Sequence, residues 1–168
     1  DALISRIEQC ILSEEEVADN ASRELRDIRR RIRTENAQIR EKLNGILRSK
    51  EQAAYLQEGI VTMREGRFVV PVKQEYRAQV PGLIHGQSAS GATLFIEPMG
   101  IVEANNRLRL LEEEEKREIA RILQELSDLA GAGAAELRQD IEILSYLDLV
   151  FAKAALAIRM KAFCPVLN

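Results

Sequence analysis

Three stretches of the chain repeat apolar residues at helical spacing. In the first, Leu25, Ile28, Ile32, Ile39, Leu43, Ile46 and Ala53 follow a three-and-four rhythm, with Asn36 and Lys50 at the skipped positions. That rhythm predicts one helix with a narrow buried stripe. Ser22 is placed to cap its start, Glu24 lies in the first turn where the positive helix end favours acids, and Gly59 suits the position just past its end. Gly45 inside it weakens it slightly. A second run starts at Pro98, a residue suited to a first helical turn, and carries Ile101, Ala104, Leu108, Leu111, Ile119, Ile122, Leu126 and Leu129. The third shows Leu137, Ile141, Leu144, Leu147, Phe151, Ala154 and Ile158, after a glycine-marked turn at Ala130-Gly131-Ala132-Gly133-Ala134. A short helix over residues 2–10 leads the chain.

Residues 60–97 switch to period two. Phe68, Val70 and Val72 alternate with Arg67, Val69 and Lys73, which predicts a strand with its bases on the outward face. Glu65-Gly66, between Ile60–Arg64 and Arg67–Val72, predicts a tight hairpin turn. Pro71 predicts an edge strand, because proline has no N–H for a ladder. Two further short strands fit Leu83–His85 and Thr93–Ile96.

Lengths turn these elements into an architecture. Residues 98–130 as a helix extend roughly 50 Å at 1.5 Å per residue, and residues 26–58 form an arm of matching length. The simplest arrangement is an elongated antiparallel helical pair carrying the β unit at its far end, with other helices at its base. The predicted class is therefore mainly α with a small antiparallel β insertion (α+β).

Composition agrees: of 168 residues, 46% are hydrophobic, 30% charged and 4% aromatic, too apolar for disorder and too charged for a membrane protein. No apolar run approaches the ~20 residues of a membrane span, and the first residues lack a signal-peptide pattern. Cys10 and Cys164 fit a reducing cytoplasm, with a single bridge between them left open. A single histidine, His85, leaves little for metal clusters. The net charge of −3 hides a basic stretch: residues 23–50 carry ten bases and four acids, including Arg29-Arg30-Arg31 and Arg33. Such a stretch either contacts a polyanion or is solvated and paired with the acidic run Glu112–Glu115.

Candidate chemistry is sparse. Gly86-Gln-Ser-Ala-Ser-Gly91-Ala92-Thr93 fits the frame of a phosphate-binding loop, but Ala92 stands where that loop needs lysine, and a strand follows where it needs a helix. Ser88, Ser90 and Thr93 remain able to offer hydroxyl and amide donors to one phosphate. His85 has no sequence neighbour for nucleophilic or metal chemistry, and consecutive glutamates fan around a helix without converging. No catalytic pairing and no metal site is readable. Arg64, Arg67, Lys73 and Arg77, spread through the β unit, suit phosphate-backbone contacts; they equally suit a solubilising, pairing-resistant edge.

Two blocks carry a resemblance. Arg64-Glu-Gly-Arg-Phe-Val-Val-Pro-Val-Lys73 with Glu75-Tyr-Arg77, and Gly86-Gln-Ser-Ala-Ser-Gly-Ala-Thr-Leu-Phe-Ile-Glu-Pro98 with Asn105-Asn106, resemble the clamp signature of the MutS family, in its second bacterial branch. Leu144-Ser-Tyr-Leu-Asp148 through Phe151-Ala-Lys-Ala154 to Cys164-Pro165 is similar to the helix closing the core domain of that family, and Ile11–Arg29 is similar to the start of its lever. The resemblance implies levers at 26–58 and 98–130, a clamp at 59–97, and core-domain base helices at 1–25 and 131–168. It also implies a longer cytoplasmic parent with an ATPase domain binding ATP and Mg and a terminal nuclease-type domain, this segment itself being non-catalytic and holding no cofactor. Family members act as homodimers that close around double-stranded or branched DNA; this branch is linked to suppression of homologous recombination and to rescue of collided ribosomes, with rRNA as a further ligand. Against a nucleic-acid clamp stands a different class of function: a structural arm whose tip or stripe meets a second copy or a protein partner.

Overall fold

The computed structural model describes residues 2–162, so Cys164 and Pro165 of the closing motif, and any bridge to Cys10, lie outside the described residues. The elements run α1 (Ala2–Cys10), β1 (Ile11–Ser13), β2 (Glu16–Val17), α2 (Arg23–Arg48), α3 (Lys50–Tyr55), β3 (Thr62–Arg64), β4 (Arg67–Lys73), a 3-10 turn (Gln74–Gln79), β5 (Gly82–Gln87), β6 (Thr93–Pro98), α4 (Met99–Ala132) and α5 (Ala134–Met160). The class is mainly α with a small antiparallel β insertion, as the periodicities predict. The chain divides into two compact units, residues 1–7 with 123–168 and residues Glu8–Ile122.

In the larger unit α2 and α4 pack antiparallel. Ser22 reaches Glu118 (2.7 Å), Arg29 reaches Glu115 (2.6 Å), Arg31 reaches Glu114 (3.5 Å), Arg107 reaches Glu35 (3.2 Å) and Lys42 reaches the carbonyl of Gly100 (3.4 Å). One number rises as the other falls, which only opposed helices produce. Ser22 also caps α2, its hydroxyl accepting from the Leu25 amide at 2.9 Å. The continuous helix expected through residue 58 is broken at Ser49. There the backbone turns extended (ψ 116°) and the side chain caps α3, accepting from the Gln52 amide at 3.4 Å. A serine bonded to its own backbone competes with helix continuation, and the helical segment ends at Tyr55, not at Gly59. Pro98 likewise ends β6, and α4 starts one residue later. The expected turn at 130–134 narrows to Gly133. A two-stranded antiparallel ribbon, β1–β2, adds to the expected elements between α1 and α2.

The four-stranded sheet has the order β3-β4-β6-β5, all antiparallel. Glu65 and Gly66 form the β3–β4 turn with φ +51° and +75°, the left-handed pair that a two-residue hairpin needs. Pro71 does not mark an edge strand, since β4 lies inside the sheet. Its position explains the exception. β3 stops pairing at Val69, and beyond it the Pro71 carbonyl accepts from the Gln57 amide at 2.8 Å beside the single bridge Leu56–Val72. The missing N–H points to this sparsely paired side, where no continuous ladder requires it. Phe68, Val70, Val72, Leu94 and Ile96 turn one sheet face onto Ile39 and Leu43 of α2 and Ile101, Ala104 and Leu108 of α4, forming one buried core. Each of these Val, Leu, Ile and Phe side chains contributes about 1.5–3 kcal/mol by burial.

In the smaller unit, Arg6 of α1 holds Glu125 of α4 at 3.1 Å. α5 has no buried residue, and its predicted stripe, including Leu144 and Phe151, is exposed.

Candidate nucleic-acid interface

Register assigns the sheet's second face. Pairs Arg64–Arg67, Thr62–Val69, Pro71–Phe95 and Lys73–Thr93 lie side by side on it, opposite the core. The alternation read from β4 therefore correctly collects the bases on one side. That side is not simply open, because Val69 is fully buried along with Val70.

Three of the sequence-predicted residues meet here. Arg64, Ser88 and Thr93 line one groove of about 330 Å³ with Thr62, Pro71, Phe95 and Glu58. The Arg64 guanidinium lies over the Phe95 ring, 4.0 Å from its centroid, and the side chain remains exposed. Lys73 extends the same face; its ammonium donates to the Ala54 carbonyl at 3.1 Å and lies 5.8 Å from the Tyr76 ring. Arg77, in the turn after β4, reaches the carbonyls of Val80 and Gly82 at 3.5 Å each. Among the described residues none of Arg64, Lys73 and Arg77 has a carboxylate within 4 Å.

Arg67 departs from the outward placement expected of it. Its guanidinium donates to both oxygens of Glu97 (2.8 and 3.1 Å) and to Asn106 Oδ1 (2.6 Å), leaving the side chain 17% exposed. Glu97, fully buried, also accepts from His85 Nε2 at 2.6 Å and from Asn105 Nδ2 at 2.8 Å. The register pairing Val70 with Ile96 brings Phe68 opposite Pro98, which has no N–H to give. Asn105 of α4 fills in: its amide accepts from the Phe68 N–H (3.3 Å) and donates to the Phe68 carbonyl (3.1 Å), copying a strand backbone. A carboxylate this buried is tolerable only when paired and hydrogen-bonded throughout, and Glu97 is. His85 and Asn105-Asn106 stand out in the sequence but their union does not; the strand register around Glu97 is the signal that joins them.

The loop resembling a phosphate site is a hairpin connection. The Ser88 hydroxyl accepts from the Thr93 amide (3.1 Å), Ser88 and Thr93 also bond through their backbones (2.9 Å), the Gly91 amide donates to the Ser88 carbonyl (2.9 Å), and Ser90 Oγ lies 3.3 Å from Ser88 Oγ. These amides are already spent within the turn.

The basic stretch of α2 is treated differently. Arg29 is held by Glu115 and Asp19, both at 2.6 Å, and by the Val17 carbonyl at 2.8 Å. Burial works against its charge, but the bonds to Glu115 and Asp19 outweigh that and raise its pKa. Asp19, bonded by Arg29 and then Arg33, is held below the usual carboxylate range, with burial opposing. Glu118 is lowered by its bond to Arg121, with burial opposing and Ser22 helping. Among the described residues no cluster suits a metal ion, and no helix is long and apolar enough to cross a membrane.

No protein-family model matches the chain. Curated relatives match nearly all of it. The Endonuclease MutS2 of Ruminiclostridium cellulolyticum is 51% identical over 166 residues, 99% of this chain and 21% of that protein. That of Alkaliphilus metalliredigens is 52% identical over 167 residues (99% and 21%), and that of Clostridioides difficile 54% over 163 residues (97% and 21%). A helical pair with this sheet inserted between its members, carrying these motifs, is a segment of a MutS-type protein. The chain belongs to the MutS2 branch of that family and spans 21% of the length of the relatives it matches.

Proposed function

We propose that this segment is the non-catalytic lever and clamp of a MutS2-type protein and that its sheet grips nucleic-acid backbone without reading sequence. Residues 26–58 and 98–130 serve as levers, 59–97 as clamp, and 1–25 with 131–168 as the base. The observation carrying this reading is the uncommitted charge of the β unit: Arg64, Lys73 and Arg77 touch rings and carbonyls, whereas Arg29, Arg30, Arg31 and Arg33 of α2 each pair with a carboxylate. Cations without internal partners are available to phosphates, and contacts to phosphate position a protein without sequence preference. The relatives' name supports reading the whole protein as an endonuclease. ATP and Mg belong to its other domains, and its ligands are double-stranded or branched DNA, or rRNA in a ribosome, gripped by a cytoplasmic homodimer.

Binding of this chain to a short labelled duplex, followed by fluorescence anisotropy across a salt series, tests the grip. Phosphate contacts from Lys73 and Arg77 give a slope of about −1.8 in log K against log salt. Combined Lys73→Glu and Arg77→Glu should weaken binding strongly and flatten that slope. Affinity indifferent to salt and to both reversals would overturn the reading.

The exposed apolar residues of α5 favour a second reading, an arm for a second copy or protein partner. Sedimentation separates the two: concentration-dependent association without duplex binding supports the arm.

A further inference from the structure

The Arg64 groove is poorly designed for phosphate alone. Its lining holds one cation, Arg64, and one acid, Glu58, beside apolar Ile60, Pro71 and Phe95 and the hydroxyl residues Thr62 and Ser88. A phosphate wants several converging donors and no carboxylate; a neutral planar heterocycle wants a flat surface and hydrogen-bonding edges. The guanidinium carbon already lies over Phe95, 4.0 Å from the ring centroid, and the Arg64 side chain is exposed. Arginine planes and aromatic rings are the surfaces on which unstacked bases lie. Glu58 can accept from an exocyclic amine. The volume of about 330 Å³ has room for one base.

We infer that this groove takes a single unpaired nucleobase, stacked on Arg64, so that the sheet face favours nucleic acid with single-stranded positions over a fully paired duplex. The inference rests on the nucleic-acid reading above and deepens it: Lys73 and Arg77 hold backbone while Arg64 holds a base.

The test compares anisotropy binding of labelled single-stranded DNA, single-stranded RNA of the same sequence and the matching duplex, for the unaltered chain and for Arg64→Lys, which keeps the charge but removes the plane. Phe95→Leu provides a second variant, and thermal unfolding verifies that each is folded. The unaltered chain should prefer the strands to the duplex. Arg64→Lys should weaken strand binding about tenfold and duplex binding less than about twofold, with Phe95→Leu following the same pattern. The DNA and RNA arms identify which strand supplies the base. Equal losses on strand and duplex, or none on either, would overturn the inference while leaving the backbone grip standing. Strand binding that depends on Arg64 without any duplex binding would overturn the grip and keep the inference. Binding to none of the three would overturn both.

Discussion

The arginines of α2 and the bases of the sheet present the same charge under opposite conditions. On α2, Arg29, Arg30, Arg31 and Arg33 each reach a carboxylate, at 2.6 to 3.5 Å, from Asp19, Asp27, Glu114 or Glu115. On the sheet, Arg64 and Lys73 lie against rings and a carbonyl, and neither forms an ion pair among the described residues. Local charge density ranks the helix first, yet this densest part of it, Arg29 to Arg33, is matched by acids of α2, of α4 and of the loop before α2. A binding surface is set by charge left uncompensated, not by charge counted. Arg67 shows the limit of the contrast: it lies on the sheet but is the most deeply neutralised of its bases, by a carboxylate with no exposure.

The sharpest way to break this comparison is through Glu97. Glu97→Ala strands Arg67 and Asn105 without their shared acceptor, and losing one partner of a buried pair costs about 3–5 kcal/mol. The melting temperature should fall by about 10 °C. An unchanged melting temperature would make Arg67 as uncommitted as Arg64. Arg29→Ala comes next, with about 1.5 kcal/mol lost in chemical denaturation, since it removes charge-assisted bonds from a mostly covered side chain. Lys73→Ala should move stability by less than about 0.5 kcal/mol while lowering the salt slope of duplex binding by about 1. A stability loss as large as that of Arg29→Ala would erase the distinction between the two regions.

The smallest effect concerns acid. Asp19 and Glu118 have folded pKa values below their ordinary ones. Their contribution is therefore complete above the ordinary carboxylate range and is lost as pH falls through the folded values, which lie below that range. Asp19→Asn should make the acid limb of a pH-stability profile shallower and leave neutral stability lowered by only a few tenths of a kcal/mol, as an exposed pair allows.

Local signals were sufficient where local chemistry decides. The Ser22 cap, the Glu65-Gly66 turn and the alternation of Phe68, Val70 and Val72 all stand as written in the chain. They fail where a distant partner decides. Ser49 fits a helical pattern, but the chain turns there so that Leu56 can meet Val72. Pro71 signals an edge only when no neighbouring strand has ended early beside it. Of the groove, Arg64, Ser88 and Thr93 were legible as polar residues of the right kind, whereas Phe95 and Glu58 carry no signal until the register brings them to the same place. Arg67 looked free because Glu97 is thirty residues away in sequence.

Asn105 has a wider consequence. By lending its amide to Phe68, α4 supplies the final rung of the sheet. Helix and sheet are thereby fastened as hinge leaf to door: α4 cannot slide or roll at this point without unlatching β4. Amide exchange at Phe68 would then keep time with the first turns of α4, both opening in one cooperative event, and a pull along the helix would be felt at the strand edge at once.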